Sequence, residues 1–558
     1  MDFFERQDKA HRNTKLLVVY FIAGVAALIA TIYLAAALIF TNVSHRYQRR
    51  HYNVEAYETP QPSLWNPQLF SAVALGTLAV IAIGSIFKTI ELSAGGSAVS
   101  SMMGGRLVNP ATTDPDERKL LNVVEEMALA AGLPVPQVYV MDNENGINAF
   151  AAGHTASDAT VTVTRGCMKI LTRDELQGVI GHEFSHILNA DMRLNIRMIG
   201  VLAGIVSLSA IGGFVMRSVS QSRGSRKDSG AFGIFVFGLL LFVIGYVGLF
   251  FARLIKAAVS REREFLADSS SVQFTRNPDG LAGALDQIRA SATGTRIANR
   301  YAEQMAHMYF GQAINVWLGG LFDTHPPLDE RIARVRPGFA PTRYRNSRAK
   351  PESVDDEVHK PERREAAAAV LAAVPAAAAA MTGETGRRSG DQSVAWGRSA
   401  GESSALVGRP EAGHVDYAAR LLAALPDGLR ERLREAQGAR AALVALLLAP
   451  KDEVMRAQLA ALHAAGQEAL GAAARELAPL VDRLGPGFHL AVIDLALPAL
   501  KSAPQEAGRE LIAALEAVIH ADRRVSLHEF IVLTLVRAQL AAPAKPRAPK
   551  YGVIQRVG

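Results

Sequence analysis

Residues Gly181-His182-Glu183-Phe184-Ser185-His186 contain the pattern H-E-x-x-H. On an α-helix of 3.6 residues per turn the two histidines stand one above the other on one face, so both imidazoles reach a single Zn²⁺. Glu183 lies beside them, within reach of a water held by such an ion. A chain of this composition produces the pattern by chance about 0.02 times, which leaves two unrelated histidines on an amphipathic helix as the bland alternative. A catalytic zinc takes three protein ligands and keeps one position open. The stretch Ser260-Arg261-Glu262-Arg263-Glu264-Phe265-Leu266-Ala267-Asp268 offers two carboxylates one helical turn apart. Glu264 is a candidate ligand and Asp268 a candidate to hold a ligand histidine from behind. By themselves the two acids also suit a solvated helix face. One Zn²⁺ per chain is expected, and its chemistry is hydrolysis: the ion polarises a carbonyl and acidifies water, while Glu183 takes the water proton and delivers it to a leaving amine. Cys167 is the single cysteine, which excludes an intrachain disulfide and any multi-cysteine zinc module; it reads as a small buried residue.

These groups need rigid elements. Thr172, with Glu175 three residues later, forms a capping-box pattern that opens a helix running through Ala190 and carrying His182, Glu183 and His186. Upstream, Asp114-Pro115 starts a helix with apolar positions Leu120, Leu121, Val124, Met127 and Leu129, and Gly132 ends it. Strand candidates follow at Gln137 to Met141, Ile147 to Ala152 and Ala159 to Thr164. The segment is therefore of mixed helix and strand.

The 558 residues correspond to three or four folded units. With 49% hydrophobic and 20% charged residues and a mean hydropathy of +0.12, the chain is too apolar to be disordered and high for a purely soluble protein. Four uncharged runs, 16–40, 69–87, 198–216 and 231–252, are long enough to cross a bilayer core as helices. The first exceeds a signal-peptide core and reads as an anchor that is not cleaved. His186 lies 12 residues before the third run and Glu264 12 after the fourth, so each sits roughly 18 Å from the membrane if the helices continue. An even number of spans places the N-terminus, 88–197 and everything after 254 on one side. Lysine and arginine near the span ends number eleven on that side and seven in the shorter opposite loops, so charge does not decide which side faces inward. The net charge of +7 and pI near 9.4 come from residues spread along the chain and flanking apolar runs, which suits topology and solvation and gives no expectation of nucleic acid.

The expected division is an N-terminal region, 1–92, with two spans; a zinc metalloprotease domain, 93–337, interrupted by the other two; a linker, 338–413, rich in Arg, Pro, Ser, Ala and Gly; and a helical accessory domain, 414–545. Few contacts are expected across such a linker.

Residues from about 110 to 337 resemble the HtpX-type membrane zinc metalloproteases, relatives of the CAAX prenyl proteases. The resemblance is carried by Asn148-Ala149-Phe150-Ala151, His182 to His186, Glu264-Phe265-Leu266-Ala267-Asp268 and Thr324-His325-Pro326-Pro327-Leu328-Asp329-Glu330-Arg331, in that order. It implies an α+β zincin-type domain among a similar arrangement of spans; with the four apolar runs and the alanine and leucine at helical spacing from about Asp416 to Leu540, the fold expected is a mostly α integral membrane protein with four transmembrane helices, that domain and an all-α C-terminal domain. It implies His182, His186 and Glu264 as zinc ligands, Glu183 as the base, and Asp268 behind a ligand. Asn148 and Ala149 fall in the family's substrate-binding edge strand, although Asn148 also reads as a strand-end amide. His325 and Arg331 fall near the metal, to stabilise an oxyanion or orient substrate; His325 also reads as a helix-start residue fixed by two prolines. The bacterial members imply an inner-membrane, multi-pass location with the catalytic domain facing the cytoplasm. Residues 338–558 depart from the family. Ala521-Asp522-Arg523-Arg524-Val525-Ser526-Leu527-His528-Glu529 resembles TerB-like helical domains, which suggests a module with its own protein partner. His528-Glu529-Phe530 imitates the zinc motif, but Val532 stands where its second histidine would be. The function expected is an endopeptidase acting on membrane-associated or misfolded proteins at the bilayer; the alternatives are a catalytically silent scaffold working through its C-terminal domain, or a processing protease with one substrate.

Overall fold

Asn66 accepts hydrogen bonds from the amides of Gln68 and Leu69 and so opens a helix over Pro67–Glu91. This is α2; α1 is Ile22–Leu38. The structure, a computed structural model, describes residues 22–38, 65–221, 263–291, 325–348 and 412–540, with short pieces between 235 and 245 and between 294 and 311. A short helix, α3 (Gly96–Met102), joins α2 to the sheet. Its Ser100 hydroxyl lies 2.9 Å from that of Thr160 and accepts from that of Thr162 at 2.8 Å.

The sheet has four strands, β1 (Arg106–Leu107), β2 (Gln137–Met141), β3 (Ala149–Ala152) and β4 (Thr160–Thr164), in the order β1-β2-β4-β3. β2 and β4 are parallel, and the outer pairs are antiparallel. Between β1 and β2 runs α4 (Pro115–Ala131), capped by the Asp114 carboxylate and ended by Gly132 at φ 63°, a left-handed conformation suited to glycine. Both ends fall where the sequence puts them. β3 begins at Ala149 rather than Ile147: the Asn148 amide bonds the Thr164 hydroxyl, and the Ile147 amide bonds the Gly294 carbonyl rather than β4. After β4 come α5 (Arg165–Ile170) and α6 (Arg173–Leu188). The expected capping box is present, with the Thr172 hydroxyl accepting from the Glu175 amide and the Glu175 carboxylate accepting from the Thr172 amide.

Ala190, at φ 56°, turns the chain into α7 (Asp191–Gln221). Then follow α8 (described from residue 263 to 275), α9 (Pro278–Ala290), α10 (Leu328–Val335) and α11 (Pro341–Arg348). α9 packs closely on α6, where a side chain at Gly178 would come within 2.8 Å of the Leu281 amide nitrogen. α11 lies within the expected linker yet is tied to the domain: Arg345 bonds Asp286 at 2.7 Å and Arg348 bonds Glu175 at 2.9 Å.

Among the described residues two helices are long and apolar enough to cross a membrane, Pro67–Ala94 and Asp191–Ser218. They pack through small residues, Gly84 against Ser207 and Gly204 against the Ile81 carbonyl, while Leu75, Ile83, Phe87 and Ile90 of α2 point outward. α1 is apolar but shorter and joins the same cluster through Val25, Leu28 and Ile32. Much of the fourth expected span, 231–252, lies outside the described residues; its described pieces are helical and bring Leu240 and Leu241 to that cluster.

The C-terminal region is all helix: α12 (Ala412–Ala424), α13 (Asp427–Leu433), α14 (Ala436–Ala445), α15 (Asp452–Ala464), α16 (Glu468–Leu484), α17 (His489–Ser502), α18 (Gln505–His520) and α19 (Leu527–Leu540). The expectation of few contacts with the protease domain is not met. Val415, Ala418, Leu421 and Leu422 of α12 share one apolar core with α4. Lys501 donates to the Ser157 carbonyl at 2.6 Å, in the turn between β3 and β4. A biased linker sequence says nothing about the surfaces it joins, and here they meet through both apolar and charged residues.

Candidate metal centre

His182, Glu183 and His186 sit in the second half of α6, turned toward α8 and β3. The Nε2 atoms of the histidines are 3.1 Å apart. Glu264 of α8 places Oε2 3.5 Å from His182 Nε2 and Oε1 3.6 Å from His186 Nε2. Donor atoms around a tetrahedral Zn²⁺ with bonds of about 2.0 to 2.2 Å are about 3.4 Å apart, so the trio fits such an ion. Among the described residues it is the only His/Cys/Asp/Glu group so arranged. His528 instead approaches the Leu446 carbonyl at 3.0 Å.

The outer nitrogens are also fixed. His182 Nδ1 is 2.9 Å from Asp268 Oδ1, and His186 Nδ1 is 3.0 Å from Asp191 Oδ2. Carboxylates only accept, so each Nδ1 carries a hydrogen and each Nε2 turns toward its neighbour. A positive charge is required between them, which a proton or a metal ion supplies. Burial alone would lower the His182 pKa, but Asp268 and Glu264 outweigh it and hold it up at about 9; metal binding must displace that proton. Burial would raise the Glu264 carboxyl, yet the His325 charge and the His182 hydrogen bond keep it well below the usual range.

Glu183 has the opposite environment. Both of its oxygens are buried without a hydrogen-bond partner, and burial pushes its pKa up against the attraction of His182 and His186. The Ala151 amide also attracts it, at a geometry short of a full hydrogen bond. The Thr164 amide donates to the Asn148 carbonyl, so by antiparallel alternation Ala149 and Ala151 direct their backbone groups to the open edge. That edge faces Glu183.

Arg331 is fully buried. Nε and Nη2 grip Asp268 at 2.8 and 2.7 Å, and Nη1 donates to the Phe310 carbonyl at 2.8 Å. Burial would raise Asp268, but Arg331 holds it below its usual value. His325 Nδ1 lies 3.0 Å from Glu264 Oε2. The Asn148 side chain is buried, donating to the carbonyls of Thr295 and Gly311 and accepting from the Gly311 amide. The Ala149 carbonyl accepts from the Phe310 amide at 2.8 Å. Cys167 is buried behind the sheet, its thiol pushed up by desolvation.

Sequence reasoning missed Asp191, Arg263 and the segment carrying Phe310. Asp191 follows His186 by five residues, a spacing that no continuous helix would turn back onto the same imidazole; the left-handed Ala190 makes it possible. Phe310 packs its ring 4.9 Å from that of His182 and belongs to no motif in the sequence.

Two histidines and an unpaired glutamate on one helix, joined by a glutamate of a neighbouring helix into a buried His-His-Glu trio, are the centre of a metallopeptidase. The family pattern described as Peptidase family M48 matches residues 115–337. A protein named "Protease HtpX homolog" from Leuconostoc citreum (strain KM20) is 36% identical over 273 residues, covering 48% of this chain and 88% of that protein. One of the same name from Streptococcus equi subsp. equi (strain 4047) is 35% identical over 273 residues, covering 48% and 86%. A third, from Dictyoglomus thermophilum, is 40% identical over 218 residues, covering 39% and 68%. No solved structure matches. The chain belongs to the HtpX-type proteases of peptidase family M48 and is a membrane-associated metalloprotease. Metalloproteases of that family are zinc-dependent in general.

Proposed function

We propose that this chain is a multi-pass zinc endopeptidase that holds one Zn²⁺ between His182, His186 and Glu264 and cleaves extended segments of membrane-associated or misfolded proteins. The observation that carries this reading is the set of donor separations, 3.1, 3.5 and 3.6 Å, directly beside the unpaired carboxylate of Glu183. A zinc ion held there supplies Lewis acidity toward a scissile carbonyl and toward water. Glu183, with its raised pKa, takes the proton of the attacking water and delivers it to the departing amine. Asp268 fixes His182, and Arg331 acts through Asp268. His325 steadies Glu264. Substrate lies along the open edge of β3, where main-chain bonding tolerates many side chains. Since the Ala149 carbonyl is already engaged by Phe310, the pairing centres on Ala151, while Asn148 and Ala149 shape that edge by anchoring Thr295, Phe310 and Gly311.

The membrane part of the reading is four spans with the metal centre and the accessory domain on the cytoplasmic face of a bacterial inner membrane. The two long apolar helices, the packing of α1 and of the pieces near residue 240 beside them, and the start of α7 at the metal centre support it. The domain division is kept at 1–92, 93–337, 338–413 and 414–545, and the accessory domain is assigned a protein partner. A silent scaffold is not favoured, since Glu183 is present and suitably placed. The test is zinc content and casein hydrolysis of the protein purified in detergent. Glu183→Gln should retain its zinc and lose activity by about 10²- to 10⁴-fold. Full activity in that variant sinks the assignment.

A further inference from the structure

The metal centre and the membrane helices meet at one ion pair. α6 ends at Leu188, Ala190 turns the chain, and α7, which is long and apolar enough to cross a membrane, starts at Asp191. Asp191 is 5% exposed. Its Oδ2 lies 3.0 Å from His186 Nδ1, and its Oδ1 accepts a close hydrogen bond from Arg263 Nη1. Arg263 immediately precedes Glu264 on α8. A closed ring results: His186 on α6, Asp191 at the foot of α7, Arg263 on α8, and Glu264 beside it facing His186 again at 3.6 Å.

The other histidine is supported differently. His182 leans on Asp268 of α8, which Arg331 of α10 grips, and neither residue lies on α7. Only His186 takes its support from a residue whose position is set by the seating of α7.

We propose that Asp191 is a positioning residue that fixes the orientation of His186, and that Arg263 locks it to α8, so that metal affinity depends on how α7 is seated in its bundle. The proposal rests on the reading of His186 as a zinc ligand. Loss of an outer partner of a ligating histidine costs typically 10- to 100-fold in metal affinity. A bundle loosened at the foot of α7 withdraws the carboxylate in the same way, without any change in the three ligands.

The experiment measures zinc affinity of the full-length protein by chelator competition, once in lipid nanodiscs and once in a short-chain detergent. Circular dichroism of the metal-free form reports folding. Asp191→Ala is expected to bind zinc about 10- to 100-fold more weakly, and Asp191→Asn, which keeps an acceptor, to recover part of the loss. Wild type should bind more tightly in nanodiscs than in detergent, and that ratio should fall toward one in Asp191→Ala and in Arg263→Gln. If Asp191→Ala does not fold, Arg263→Gln carries the comparison. Wild-type affinity in a folded Asp191→Ala, with zinc lost in His186→Ala, overturns the positioning role. Unchanged affinity in His186→Ala means instead that the ligand reading is wrong. A nanodisc-to-detergent ratio that stays at the wild-type value in both variants overturns the link to the membrane helix.

Discussion

Arg434, just after α13, and Glu125 of α4 form a two-pronged ion pair across the boundary between the C-terminal helices and the protease domain, with each side chain 7% exposed. Arg434 also donates to Asn122 at 2.7 Å, and Arg430 joins Glu125 at 2.8 Å. Around this polar centre Leu121 and Val124 of α4 border Leu495 and Pro498 of α17. Removing one partner of a buried pair strands the other charge, which costs about 3 to 5 kcal/mol. Arg430 remains to compensate, so Arg434→Ala should destabilise the contact by about 3 kcal/mol, toward the lower end of that range. Hydrogen exchange of α4 should then rise. Wild-type protection in that variant would show that the two domains dock without this pair.

Truncation after residue 345 follows the same logic. It uncovers the apolar face of α4 that α12 covers and strands Glu125. The truncated protein is expected to unfold at lower temperature and to associate more readily than the full chain, even though every proposed ligand is retained. Equal thermal midpoints would return the C-terminal helices to the status of a free appendage.

The local grammar of the site is legible in the chain. The caps of α4 and α6, two of the three main strand positions to within a residue, and the trio His182, His186 and Glu264 all follow from turn chemistry and periodicity or from short motifs. Contacts set by tertiary geometry are not legible. Nothing in the spacing shows that Asp191 folds back on His186, that Phe310 meets the Ala149 carbonyl, or that Arg434 reaches Glu125 across 309 positions. Each joins residues whose partners are chosen by the packing of whole elements, and each polar group has an equally good solvated alternative in the sequence alone.

Arg331 offers a direct comparison between two roles. Its nitrogens are engaged by Asp268 and the Phe310 carbonyl, so it should act by orienting His182. Arg331→Ala is expected to weaken zinc binding and to alter the visible spectrum of the cobalt-substituted protein. A variant with unchanged zinc affinity and spectrum but a lower kcat at constant KM would instead place the guanidinium on the transition state.

The proposed four spans make a topological prediction. In a Cys167→Ser background, single cysteines placed at 41–68 or 217–230 should react with a membrane-impermeant thiol reagent added outside intact cells, and a cysteine at position 400 should not. Labelling at 400 together with protection of the 217–230 loop would mean that a span has been miscounted.

The interface between the C-terminal helices and the sheet should be pH-sensitive at Asp494. Burial pushes its carboxyl up to about 7, with only the Lys501 charge opposing. In the unfolded chain it ionises near its ordinary value of about 3.9. Between these values the folded protein binds the extra proton, so the contribution of this group to stability is full below the unfolded value and is lost as pH rises through about 7. Asn resembles the protonated form in shape and charge. Asp494→Asn should therefore raise the thermal midpoint relative to wild type by less at pH 5 than at pH 7.5, with the two proteins converging below about pH 4, flattening the profile across that window. Lys501, pushed down by burial to about 8, stays mostly protonated up to pH 7.5. Scanning calorimetry of the full-length protein in detergent measures both midpoints. An equal shift at the two pH values would mean that Asp494 is ionised throughout and that its substitution acts through packing alone.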